Sequence, residues 1–432
     1  MKKTATIILV LMLAISAVFA GGADETSNAK TVTITYATGD PTTKEAVHEV
    51  VQAFNKSQDK WVLQENLSVS TGAYLDSLKT LNASGQMPDI FECRDTPVFV
   101  RADMLEPLDQ EILDLFEVTI PVYGTVYTAP MIGAYPHFML YNKAYFEKHG
   151  INQHPETYAD FLQICEDLKA TGISPIAAGV ADIWHIGFLF NYYMTQYASF
   201  GDPNYVAKLY TGENKFDTPE MTKAMTMLSD LFRSGNVDKG FMSTTESFLT
   251  SLLVSEKCAM IYTGSWTISA VEEADPDFEI GFFNIPDEDG NVIIHGGASS
   301  QAWAITKQAA EDPEKKECFN EFIKFFFSEE QYAPFLAKTN AFQTTVNKVE
   351  YEASPLMEEI LAEYNKYPKC LAWNEGVGEN ELPPTFRNWT YKKVQEMLMG
   401  LLEPEQLVKD MDEEWARVTR DFNPTIKVSE AL

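Results

Sequence analysis

The chain has 432 residues, of which 45% are hydrophobic, enough to build cores for two or three domains. Its 63 Asp and Glu against 33 Lys and Arg leave a net charge of −30. Nucleic acid and anionic membrane surfaces both need basic patches, so they are excluded as partners, and a polyanionic substrate is disfavoured unless a local basic pocket receives it.

In chain order, Lys2 and Lys3, the apolar run 7–13 and Val18-Phe19-Ala20 form a secretory signal, residues 1–20, with cleavage expected after Ala20. The run is too short and wrongly flanked for a membrane span. The first cysteine is Cys93, so no cysteine follows the cleavage point to carry a lipid. The mature chain is therefore expected in the periplasm or outside the cell. Residues 21–30 are small and polar and read as a mobile leader.

Thr31 to Tyr36 alternates β-branched residues and predicts a strand, broken at Gly39-Asp40-Pro41. Val47, Val50, Val51 and Phe54 then recur at helical spacing. A strand from Trp61, a helix from Tyr74 and a short strand at Pro88–Phe91 complete a β-α-β-α-β order, which implies an α/β layer with a parallel sheet. The Tyr- and Pro-rich stretch 126–141 reads as an extended crossing. Thr157 with Asp160 is a capping-box variant opening a helix that Gly172 stops. Residues 173–178 form a buried strand, and Thr218-Pro219 opens another helix. The stretch 278–285 reads as a strand, followed by a turn at Asp287–Asn291. Asp312-Pro313 caps a helix carrying Phe319, Phe322, Ile323 and Phe326, and 354–422 reads as mostly helical.

The five cysteines, Cys93, Cys165, Cys258, Cys318 and Cys370, are widely spaced without CxxC. They read as buried thiols, leaving room for one bridge. The six histidines form no HExxH. No metal and no cofactor is expected. Glycosidases use paired carboxylates, but no Asp or Glu pair stands out here, and Glu272-Glu273 and Asp287-Glu288-Asp289 read as solvated turns.

Directly after the apolar run Ala259-Met260-Ile261 comes Tyr262-Thr263-Gly264-Ser265-Trp266. A large aromatic past a Gly-Ser turn suits a cleft wall, where its face can stack on the C–H face of a sugar ring. The alternative for Trp266 is a core position, since large aromatics dominate cores.

Several segments together resemble the extracellular solute-binding proteins of ABC sugar importers, the group that includes maltose-binding protein. They are Gln86-Met87-Pro88-Asp89-Ile90, Leu105-Glu106-Pro107-Leu108-Asp109 and Tyr141-Asn142-Lys143-Ala144-Tyr145-Phe146, then His154 to Phe161, Lys257 to Trp266 and Phe319 to Gln331. Each is weak alone; their shared order is specific. The resemblance implies two α/β lobes with an interlobe cleft and three hinge crossings, expected near 132–139, 290–296 and 339–345. One lobe would comprise 31–135 plus 293–340, the other 136–292 plus 341–432. It also implies a monomer that holds a carbohydrate, closes about it and docks on a membrane permease. A secreted carbohydrate-active hydrolase and a binding protein serving a chemoreceptor are the alternatives.

Candidate ligand residues follow. Trp266 leads, then Trp389, where the family pattern has a cleft aromatic, and Trp184 with His185 after a small-residue turn. Trp303 and Trp373 are further aromatics. Asp40, Arg94 and Asp95 follow strands at the ends where α/β folds bind ligands. Arg94 could fork onto a carboxylate or simply pair with Asp95. Gly297, beside Gly296, would let backbone approach a ligand, and Ser299 with Gln301 would add hydroxyl partners.

Overall fold

A computed structural model describes residues 31–69, 74–133, 135–296, 299, 301–376 and 380–420. The secretory signal, the leader and Gly297 lie outside the described residues.

The alternating stretch at the start forms the strand Val32–Ala37, which buries Ile34, Tyr36 and Ala37. It pairs in parallel with Trp61–Glu65 on one side and Ile90–Cys93 on the other. The helix Lys44–Ser57 lays Val47, Val50, Val51 and Phe54 against this layer, as their spacing predicts. The sheet is not parallel throughout. Ala302–Ile305 pairs antiparallel with Ile90–Cys93, and Ala129–Pro130 pairs antiparallel with Ala302–Ile305. Parallel neighbours need a crossover within one layer. Ala302–Ile305 instead returns from the other half of the molecule, so nothing forces it into the parallel direction. The helices Pro313–Phe326 and Glu329–Thr339 complete this first lobe, sending Phe319, Phe322 and Phe326 into its core.

The second sheet has the order Ile280–Phe283, His137–Asn142, Cys258–Gly264, Ser174–Ala177. The helix Tyr158–Thr171 covers it. Thr157 and Asp160 form the reciprocal cap, and Gly172 ends the helix at φ 89°. Helix Pro219–Arg233 buries Met221, Met225, Leu228 and Phe232, and the C-terminal helices Pro384–Leu398 and Pro404–Thr419 pack on the same core. Two helices in this lobe, Ile186–Met194 and Glu246–Val254, have no clear sequence signal. The first is apolar almost all round, so it shows no periodic stripe.

The chain passes between the two sheets after Pro130, again between Phe283 and Ala302, and a third time beyond Thr339. This third passage touches both halves: Phe342 packs in the second lobe's core with Phe138 and Phe282, while Thr344 Oγ1 donates to the Pro130 carbonyl at 2.8 Å and Val349 packs in the first core. Ile294–His295 and Lys369–Cys370 form a small parallel ladder beside the second passage. All five cysteines are free thiols, four of them buried. Among the described residues no helix is long and apolar enough to cross a membrane.

Candidate functional site

Between the lobes lies a cleft of about 530 Å³. The first lobe supplies Gly39, Asp40, Pro41, Thr42, Tyr74 and Arg94. Asp40 and Arg94 stand beyond the C-terminal ends of neighbouring parallel strands, where a crevice forms in α/β sheets.

One buried carboxylate organises this wall. Glu92, fully buried on its strand, accepts from Thr38 Oγ1 at 2.7 Å and from the backbone N–H groups of Gly39 and Asp40 at 2.7 and 3.1 Å. Its other oxygen accepts from Arg94 Nε at 2.6 Å. Burial favours the neutral acid, but the Arg94 charge and these hydrogen bonds outweigh it and hold the Glu92 pKa below the usual carboxylate value. Arg94 also pairs with Asp40 at 3.0 Å. It does not pair with Asp95, which heads the helix Thr96–Arg101 and lies 3.6 Å from Arg387 instead. Asp95 is outside the cleft lining. A Cβ on Gly39 would meet the Tyr74 ring at 2.5 Å, so that glycine lets the ring lie over the loop.

The second lobe supplies an aromatic wall. Strand Cys258–Gly264 ends at the turn, and Trp266 opens the helix Trp266–Ala274. A Cβ on Gly264 would sit 2.0 Å from the Trp266 ring, so only glycine lets the indole fold back over the strand end. Ser265 is buried and donates to the Asn340 carbonyl at 2.7 Å, tying the turn to the end of the first lobe's last helix. The indole packs against Tyr135 (5.1 Å between ring centroids), Phe188 (5.4 Å) and His137 (5.7 Å). Its Nε1 donates to Glu246 at 3.1 Å. Trp184, 48% exposed, stands at the rim 5.5 Å from Phe188.

Glu246 lines the cleft and is partly buried. Burial pushes its pKa up, and the nearby Asp182 and Asp40 carboxylates add to this, against the Trp266 hydrogen bond. Among the described residues no Lys or Arg forms a salt bridge with it.

The passages between lobes form the floor. His137 Nδ1 and His295 Nδ1 are 3.2 Å apart, and His295 Nε2 is 3.2 Å from Thr195 Oγ1. Burial drives the His137 pKa well below its usual value and lowers that of His295 to about 4. Gln301 donates its amide to Asp40, linking floor and first lobe. Ser299 also lines the cleft. Besides Arg94 Nη2, which has its ionic contact with Asp40, three lining groups, Tyr135 OH, Asn191 Oδ1 and Gln301 Oε1, are buried without a hydrogen-bond partner among the described residues. Such an orphan costs about 1–3 kcal/mol unless water or a ligand satisfies it.

Four of the aromatic and imidazole candidates do not line the cleft. Trp303 is fully buried in the first core, 5.5 Å from Phe322, because its strand is central and covered on both faces. Trp373 is 6% exposed, packs 4.9 Å from Phe190 and donates to Tyr391 OH at 3.4 Å. Its neighbours Ala372, Asn374 and Glu375 line the cleft instead. Trp389 is half-buried and stacks on Phe386 of its own helix. His185 is 4% exposed behind Phe188, and burial lowers its pKa to about 3.

Sequence reasoning missed Glu92, Tyr135, His137, Phe188, Asn191 and Glu246. Glu92 carried a signal, a lone charge in an apolar strand. Tyr135 and His137 lie in the Tyr- and Pro-rich crossing. Nothing local marked Glu246. Among the described residues no group of three His, Cys, Asp or Glu is arranged to hold a metal.

Residues 40–333 match the sequence profile of the bacterial extracellular solute-binding proteins. The chain is 27% identical over 247 residues to a multiple sugar-binding protein of Streptococcus mutans, an alignment covering 53% of this chain and 57% of that relative. It is 26% identical over 326 residues to an uncharacterised ABC transporter extracellular-binding protein of Pyrococcus horikoshii, covering 68% and 73%. The fold is similar to that of a chitin oligosaccharide binding protein, with a TM-score of 0.78 at 24% identity over 91% of this chain and 100% of the other. A solute-binding protein solved with raffinose gives a TM-score of 0.69 at 22% identity over 89% and 99%.

Proposed function

The chain belongs to the bacterial extracellular solute-binding proteins, and on that premise we propose that it captures a carbohydrate between its lobes and delivers it to the membrane permease of an ABC importer. The observation that carries this reading is the pairing of an aromatic wall with unsatisfied polar atoms in one interlobe cleft. A sugar ring has an apolar C–H face and a rim of hydroxyls. Trp266, backed by Phe188 and Tyr135, offers a face for the first. Tyr135 OH, Asn191 Oδ1 and Gln301 Oε1 offer partners for the second. Asp40, Ser299 and Glu246 add acceptors around them, and Trp184 at the rim extends the platform toward a second ring.

The names of the relatives, which specify multiple sugars, chitin oligosaccharides and raffinose, favour the same chemistry. In this reading the protein makes and breaks no covalent bond. It works as a monomer in the periplasm or outside the cell, and its steps are capture, lobe closure and docking.

The test is a melting-temperature panel of mono- and oligosaccharides with amino acids and peptides as controls. A ligand at one hundred times its Kd stabilises the native state by about 2.7 kcal/mol, a shift that is readily measured. A saccharide should raise the melting temperature. If only amino acids or peptides do so, the proposal fails, and turnover of a chromogenic glycoside would replace it with the hydrolase reading.

A further inference from the structure

We propose that the cleft takes saccharides without acidic groups and turns uronates and phosphosugars away, with Glu246 as the residue that sets this preference. The inference rests on the saccharide reading above and narrows the class of sugar.

Arg94 is the single Lys or Arg among the described residues that line the cleft. It is the group an acidic sugar would seek, because a guanidinium binds carboxylate and phosphate in a fork. That charge is already outmatched. Its Nε lies 2.6 Å from Glu92 and its Nη2 lies 3.0 Å from Asp40, so two carboxylates face one guanidinium. Glu92 has no exposed surface and cannot swing away to release it. Arg94 therefore acts as a positioning residue that holds Asp40 at the cleft wall.

On the opposite wall Glu246 lies beside the proposed stacking face, bound to Trp266 Nε1 at 3.1 Å. No Lys or Arg among the described residues forms a salt bridge with it. Asp182 Oδ2, 2.8 Å from the Glu246 backbone N–H, adds negative charge behind it. Glu375 lines the same cleft. A sugar ring seated on Trp266 thus has a carboxylate at its edge and further carboxylates across from it. Hydroxyls donate well to such groups. A second anion brought into this partly desolvated space meets like charges that water screens poorly. The floor does not compensate, since burial keeps His137 and His295 neutral at ordinary pH.

The experiment compares digalacturonate with its methyl ester, which differ in charge and little in shape, beside neutral disaccharides of glucose, galactose, xylose and N-acetylglucosamine. Titration calorimetry is run on the full mature chain and on Glu246→Gln. Glutamine keeps an acceptor for Trp266 and removes the charge. The expected result is that neutral sugars bind, that the ester binds about tenfold or more tighter than the free acid, and that Glu246→Gln narrows that ratio. Equal affinity for acid and ester, or a ratio unchanged in Glu246→Gln, overturns the inference and leaves the saccharide reading standing. Failure of every saccharide while an amino acid or peptide binds overturns both.

Discussion

Arg101 and Glu381 join the two lobes directly: the guanidinium Nη2 donates to Oε1 of the carboxylate at 2.8 Å, and Nη1 donates to the other oxygen. Arg101 ends the first-lobe helix Thr96–Arg101, while the Glu381 backbone carbonyl accepts from Tyr210 of the second lobe at 2.7 Å. A second pair, Asp95 with Arg387 at 3.6 Å, crosses with the opposite polarity. Glu381 is 4% exposed, and burial pushes its pKa up against the pull of Arg101.

These contacts hold the lobes in the arrangement seen here, so weakening them should favour a more open one. Glu381→Gln keeps the shape and removes the charge. Arg101 is about one-third exposed, so water softens the loss, and we expect this arrangement to lose about 1–2 kcal/mol. Ligand affinity should fall roughly tenfold by the same arithmetic. Small-angle scattering of the unliganded variant should give a larger radius of gyration. Unchanged scattering together with unchanged affinity would show that the pair does not latch the lobes.

Trp266 and Trp303 should separate cleanly by experiment, because one lines the cleft and the other fills the first core. Trp266→Ala removes the proposed stacking face. It should lower ligand affinity by about 2 kcal/mol, near thirtyfold, with a modest change in melting temperature. Gly264→Ala should do much the same indirectly, since its new Cβ would sit 2.0 Å from the indole and push it off the strand end. Trp303→Phe should leave affinity intact and cost about 1–3 kcal/mol of stability through the space it empties. Normal affinity in a well-folded Trp266→Ala would remove that residue from the site.

Local signals account for what was legible in the sequence. The Thr157–Asp160 cap and the left-handed Gly172 are written within a few residues of themselves. So is the turn that projects Trp266, because Gly264 and the indole are two residues apart. Whether a tryptophan ends in a core or a cleft is a tertiary matter. Trp303 and Trp184 differ in what distant helices do, the first being covered by Pro313–Phe326 and the second left at a rim. The mixed direction of the first sheet was hidden for a similar reason, as its antiparallel strand arrives from more than 200 residues downstream. Glu246 begins an ordinary helix, and only the neighbouring Trp266 gives it meaning.

Acid should destabilise this fold through its buried histidines. His185 and His295 are held neutral, with pKa values near 3 and 4, while the unfolded chain takes up protons near the ordinary value of about 6.5. Their stabilising contribution is therefore complete above that value and is lost as pH falls toward the folded values. Each can remove up to about 1.4 kcal/mol per pH unit in that window. Glu246 and Glu381 act in the opposite sense, because their raised pKa values let the folded state take up protons first. A His185→Gln variant should lose less melting temperature than the parent between pH 7 and pH 5. An identical pH slope for the two proteins would contradict the assignment of His185 as a buried neutral group.

Glu92→Gln tests whether one buried carboxylate holds the first-lobe wall together. One Glu92 oxygen accepts from Thr38, Gly39 and Asp40, and the other accepts from Arg94. An amide has a single acceptor oxygen. Turned one way, its NH2 faces the three donors of the loop; turned the other way, it faces Arg94 Nε. Either choice leaves donors opposed at a carboxyl position with no access to water, and Arg94 loses one of the two carboxylates that offset its charge. Breaking a fully buried pair costs about 3–5 kcal/mol, and because Arg94 is about one-third exposed the loss here should fall below that range. The variant should melt several degrees lower, and its ligand affinity should fall because Asp40 is no longer held at the cleft. Its acid sensitivity should change as well. The lowered Glu92 pKa contributes stability that is present above the ordinary carboxylate value and lost as pH falls through the folded one, and glutamine cannot titrate. A variant with the parent's melting temperature and affinity would mean that the loop 38–40 is held by other contacts.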